Sequence, residues 1–128
     1  MSAAPPLGRR IWVIAEGYIP QGGTHSADRR FVSHETACIL NAGDEAAQIT
    51  ITLYFADSEP AGPYRVEVPA RRTLHLRFND LNDPQPVPRD TDYASVIRSS
   101  VPVVVQHTRL DSRQAALALM STMAFADE

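Results

Sequence analysis

One cysteine, no lysine and no long apolar run mark this sequence first by what it lacks. Cys38 has no second cysteine for an internal disulfide, which agrees with a reducing compartment. Its neighbours Ala37, Ile39 and Leu40 make an inert core thiol the expected role. No stretch approaches the roughly 18–20 apolar residues that a membrane-spanning helix needs. Pro5-Pro6 and Arg9-Arg10 precede only a short apolar run, the wrong order for a signal peptide. The expectation is a cytoplasmic protein with a flexible tail over residues 1–8 and one domain over 9–128. All strong bases are arginines, and that oddity carries no functional weight. A net charge of −3 gives no global sign of nucleic-acid binding.

The catalytic signatures are missing as well. There is no G-x-S-x-G elbow for a serine nucleophile and no H-x-H, H-E-x-x-H or C-x-x-C pair for a metal. Only Gly22 and Gly23 are adjacent among six scattered glycines, so nothing cradles a phosphate by sequence. Neither an enzyme nor a cofactor is expected from these residues.

What is present is alternation with period two, the mark of strands with one buried face. Ile49, Ile51, Leu53 and Phe55 alternate with Thr50, Thr52 and Tyr54; Leu74, Leu76 and Phe78 alternate with Thr73, His75 and Arg77. The pattern predicts strands near 10–16, 31–41, 47–56, 63–68, 72–78, 93–98 and 101–110. The segment 115–125 composes like a helix but would also alternate as a strand. Asn41 to Glu45 reads as a hairpin loop, 59–63 and 69–72 as further breaks, and 79–92, rich in proline, as a surface loop. Short strands at this spacing predict an all-β, single-domain β-sandwich of seven or eight strands.

Ionisable residues sit beside apolar ones in several of these strands, where burial without partners is costly. Trp12, Ile14 and Glu16 share a face of the first strand. His34 and Glu35 are adjacent and so face opposite ways. Val103, Val105, His107 and Arg109 share a face in VVVQHTRLDSR, and Arg109 and Asp111 could pair. A polar pocket or subunit contact would draw on Trp12, Glu16, His34, Glu35, His75, His107 and Arg109. His34, His75 and His107 with a carboxylate could be imagined as metal ligands, but their spacing supports no such site, and no metal is expected. Arg71, Arg72 and Arg77 are the candidates for contact with nucleic acid or a partner.

Several long strings carry a resemblance: IWVIAEGYIP (11–20), SHETACILNAGDE (33–45), GPYR (62–65), VPARRT (68–73), RFNDLNDP (77–84) and VVVQHTRLDSRQ (103–114). They are similar to the soluble sensory rhodopsin transducer family, over nearly the whole chain. Loop 21–30 and the first eight residues depart from that pattern. The resemblance implies a β-sandwich protomer in a ring-like homotetramer, with 115–125 a strand. It also implies a cytoplasmic, non-enzymatic signalling role at the inner face of a seven-helix photoreceptor, or a small-molecule site for a sugar-like ligand. DNA binding by an arginine-rich surface, as a transcriptional regulator, is the alternative. The matching polar positions are Trp12, Glu16, His34, Glu35, Arg71, Arg72, His75, Asn79, Asp80, His107, Thr108 and Arg109.

Overall fold

The fold is built around one strand far longer than its neighbours. In a computed structural model, which describes residues 6–21, 29–114 and 116–127, the two strands expected at 93–98 and 101–110 are a single 19-residue strand. In chain order the strands are β1 (Arg9–Gly17), β2 (His34–Asn41), β3 (Ala47–Phe55), β4 (Ala61–Val68), β5 (Arg72–Arg77), β6 (Tyr93–Asp111), β7 (Ala118–Met123) and β8 (Phe125–Ala126). Short 3-10 turns occupy Arg29–Phe31 and Phe78–Asp80, and no α-helix occurs among the described residues. The segment that composed like a helix is therefore strand over 118–123, as the resemblance implied. Residue 115 and most of loop 21–30 lie outside the described residues, as do residues 1–5 of the expected tail.

The long strand β6 serves two sheets. Its first half pairs with β1 and β3, and its second half with β2 and β7, all antiparallel. The first sheet runs β4-β3-β6-β1-β8 and the second β5-β2-β6-β7. Between the halves, β1 steps two residues (Arg9 to Ile11) while β6 steps five (Val103 to Arg98). Pro102 falls in this irregular stretch, where a missing backbone donor costs least. The bulge turns the strand and lets one chain segment knit both sheets.

Asn41 to Glu45 does not form the expected hairpin, because β2 and β3 lie in different sheets and do not pair. The buried Asn41 side chain explains the turn: its Nδ2 donates to Glu45 O at 2.8 Å and Val68 O at 3.0 Å, and its Oδ1 accepts from Gly43 N at 3.1 Å. The turn is thus tied to the end of β4 and carries the chain from one sheet to the other. The break at 59–63 does join paired strands, β3 and β4.

The inner faces of the two sheets close on one core. Ile49, Ile51 and Leu53 of β3, Tyr64 and Val68 of β4, Ile39 of β2, and Ile97, Val103 and Val105 of β6 are all buried there. Each such side chain contributes about 1.5–3 kcal/mol by leaving water. This is an all-β single domain, with its core where the alternation placed it.

Candidate functional site

Ionisable side chains enter the core at one end of the second sheet. Glu35 lies on the inward face of β2, fully buried, directly opposite Arg109 and diagonal to His107 on β6. Its Oε1 is hydrogen-bonded to His107 Nε2 in a close contact, and its Oε2 accepts from Arg109 Nε at 2.5 Å. The backbone N–H of Tyr18, just beyond β1, donates to the same Oε2 at 3.1 Å. Arg109 extends further and pairs through Nη1 with Glu16 Oε1 at 2.9 Å. Four side chains from three strands and one backbone amide therefore form one network. It holds the end of β1, in the first sheet, against the second sheet.

Burial works against the Arg109 charge, but hydrogen bonds to Glu16 and Glu35 outweigh it and hold its pKa above the usual arginine value. Burial, followed by the Glu35 charge, pushes the Tyr93 phenol far upward, so this hydroxyl stays protonated at ordinary pH. Tyr93 Oη and Arg109 Nη2 are buried without a hydrogen-bond partner among the described residues. The supporting layer is polar too. Asn79 Oδ1 accepts from Glu35 N at 3.4 Å while its Nδ2 donates to Ser33 O at 3.0 Å. Ser33 Oγ accepts from the backbone N–H of Ser112 at 2.8 Å.

The other candidates stand elsewhere. Trp12 is a core residue whose Nε1 donates to Val103 O at 2.9 Å and Arg9 O at 3.0 Å, bracing β1 against the bend of β6. A register shift between Ile14 and Gly17 ends the alternation, so Gly17 is buried and Glu16 emerges at the surface. His34 faces away from Glu35, as adjacency in a strand requires, and its Nδ1 donates to Val32 O at 2.8 Å. His75 is exposed opposite Cys38, and Cys38 is half-buried with its thiol 4.0 Å from Thr108 Oγ1. Among the described residues no three His, Cys, Asp or Glu side chains are grouped to hold a metal.

Arg71, Arg72 and Arg77 do not form one basic stripe. Arg71 adopts a left-handed backbone and pairs with Asp44 at 3.0 Å; Arg72 donates to Arg71 O. Arg77 is half-buried, donates to Arg29 O at 3.2 Å and leaves its Nε without a partner among the described residues. Asp80 pairs with Arg29 at 2.6 Å. Asp111 pairs with Arg113 at 2.7 Å rather than with Arg109, whose Nη1 and Nε are held by Glu16 and Glu35. Sequence reasoning missed Tyr93 and the backbone of Tyr18, for which no local pattern gave a signal.

A second feature is apolar. Strand β7 closes the edge of the second sheet with every residue exposed. Leu119 is 70% exposed, Met123 56% and Met120 48%, and Phe125 just beyond is 66% exposed. No helix among the described residues is long and apolar enough to cross a membrane.

Comparison with known proteins gives the family. The model of the Anabaena sensory rhodopsin transducer family matches residues 7–126. A solved structure of the Anabaena sensory rhodopsin transducer is 60% identical, covering 82% of this chain and 100% of that one, with a TM-score of 0.70. The crystal structure of Thermotoga maritima 1070 is 39% identical, covering 95% of this chain and 97% of that one, with a TM-score of 0.84. No curated protein matches. With the match spanning both sheets and every residue of the buried network, this chain belongs to the Anabaena sensory rhodopsin transducer family.

Proposed function

We propose that this protein is a non-enzymatic, cytoplasmic signal transducer that works as a homotetramer and docks on the inner face of a seven-helix photoreceptor. The observation that carries this reading is the exposed apolar edge at β7. Leu119, Met120 and Met123 lie on a strand whose outer backbone groups have no strand partner among the described residues. An edge that is both unpaired and apolar invites association, and soluble proteins normally cover or charge it. Protein contact meets that need; a small ligand does not. The buried network fits the same reading, because both oxygens of Glu35 are already engaged in hydrogen bonds. The test is light scattering on the purified protein, with pull-down by photoreceptor-containing membranes. A tetramer mass that falls in Leu119→Glu/Met123→Glu, together with lost binding, supports the reading. A wild-type monomer that ignores the receptor rejects it.

One observation favours a second reading, a polar and sugar-like ligand. Arg109 Nη2 and Tyr93 Oη are donors without acceptors, and Glu16, 64% exposed, gives a route in from solvent. A thermal-shift screen over sugars and acidic metabolites tests it. A ligand that stabilises the wild type but not Glu16→Ala or Arg109→Ala supports a site there; equal or absent shifts reject it. DNA binding through Arg71, Arg72 and Arg77 gains no support, since Arg71 pairs with Asp44, Arg72 and Arg77 donate to backbone carbonyls, and the three do not form one stripe.

A further inference from the structure

The outward face of the first sheet carries two exposed arginines, Arg65 and Arg98, that hold no carboxylate. Thr50 of β3 is the direct cross-strand partner of Arg65 on β4 and of Arg98 on β6. Cross-strand partners share a face, so the three side chains form one row, Arg65–Thr50–Arg98. Both arginines are exposed, and neither has a hydrogen bond or ion pair among the described residues. Elsewhere Arg29, Arg71, Arg109 and Arg113 each hold a carboxylate. In the next row Glu67 makes no ion pair with Arg65; its Oε1 accepts from Gln48 Nε2 at 2.6 Å. Gln48 is in turn fixed by its backbone N–H donating to Ser100 Oγ at 2.9 Å. A groove of about 280 Å³ over β3 and β4 is lined by Gln48, Ile49, Thr50, Arg65, Val66 and Glu67, and Arg98 flanks it from the far side of Thr50.

We propose that the row Arg65–Thr50–Arg98 is an oxyanion site that takes the phosphate group of a small phosphate monoester. Strands about 4.8 Å apart set the outer Cα atoms of the row roughly 10 Å apart, within reach of two arginines bending toward one ligand. Guanidinium groups remain charged at every working pH and offer paired N–H donors that match phosphate oxygens. A monoester carries nearly two negative charges near neutral pH, which the two guanidiniums attract against the single Glu67 carboxylate of the groove. The Thr50 hydroxyl supplies a neutral donor between them. The site lies on the first sheet and does not depend on the β7 edge or on the Glu35 network.

The experiment is a titration of the 15N-labelled protein with inorganic phosphate, at ionic strength held constant with chloride. The expected result is a saturable shift of the Thr50, Arg65 and Arg98 amides, weakened about tenfold in Arg65→Gln and in Arg98→Gln and lost when both are changed. Arg71→Gln, which alters an arginine already paired with Asp44, should leave the titration unchanged. The thermal midpoint of each variant reports folding separately. Shifts spread over all exposed arginines, or a response that survives Arg65→Gln/Arg98→Gln, would overturn the proposal.

Discussion

Glu35 and Arg109 face each other across β2 and β6, and the Glu35 side chain is fully buried while the Arg109 side chain keeps 22% of its surface in water. The pair is therefore half a core contact and half a surface one. Its inner member also holds His107 and the Tyr18 amide, so removing it strands several donors together. Changing Glu35 to Ala should cost about 3–5 kcal/mol in urea unfolding, the range for breaking a buried ion pair from one side. Glu35→Gln, which keeps one acceptor oxygen, should cost less. A loss near zero for Glu35→Ala would mean that the network does not hold the two sheets together.

Asn41 makes a comparable prediction at the opposite end of β2. Its amide satisfies Glu45 O and Val68 O and caps the turn at Gly43 N. Asn41→Ala leaves these groups facing an emptied buried site, at roughly 2–3 kcal/mol for the unmet hydrogen bonds. Asn41→Asp should be worse, since it turns an acceptor toward two carbonyls. Denaturant midpoints of the two variants check the order; the reverse order would show that the turn does not depend on the amide.

Much of the fold was legible, and the reasons for the exceptions are physical. Alternation located the strands because one face of each is buried, as Ile49, Ile51 and Leu53 show. It could not show that 93–98 and 101–110 are continuous, since the bulge around Pro102 imitates a turn in sequence. Nor could it reveal that the Asn41 turn changes sheets, because that depends on Val68, far along the chain. Within the site, parity alone put His107 and Arg109 on one face and His34 opposite Glu35. Parity failed at Glu16, where the shift after Ile14 breaks the count. Tyr93 was invisible because its role comes from what packs around its ring and hydroxyl. The split of Trp12 and His75 from the network follows from sheet geometry that no single strand encodes.

Gly17 links the backbone to this network. A Cβ placed there would lie 2.5 Å from the Tyr93 ring, which also meets Phe78 at a centroid distance of 5.6 Å. The ring is buried and cannot swing aside cheaply. Gly17→Ala should therefore destabilise by about 1–3 kcal/mol through overpacking. Tyr93→Phe in the same background should not relieve it, because the ring and not the hydroxyl is in the way; Tyr93→Leu should recover part of the loss. Thermal midpoints of the three variants decide, and an unaffected Gly17→Ala would place the ring elsewhere.

His34 predicts how stability depends on pH. Burial lowers its pKa below the usual 6.5, and Arg77 and Arg29 add to the effect, while the Val32 carbonyl and Glu35 oppose it. The folded chain thus binds this proton less readily than the unfolded chain, and unfolding takes up a proton as the pH drops. Stability rises with pH wherever the unfolded state binds more protons. The His34 contribution is therefore complete above the unfolded value and is lost as pH falls from there through the folded value. Comparing urea midpoints at about pH 7.5 and about pH 5 should give a larger acid loss for the wild type than for His34→Gln. Direct observation of the imidazole by NMR should find His34 titrating below the same residue in the urea-unfolded chain. Equal acid losses in the two proteins, with His34 titrating at its unfolded value, would mean that burial of this ring does not govern its charge.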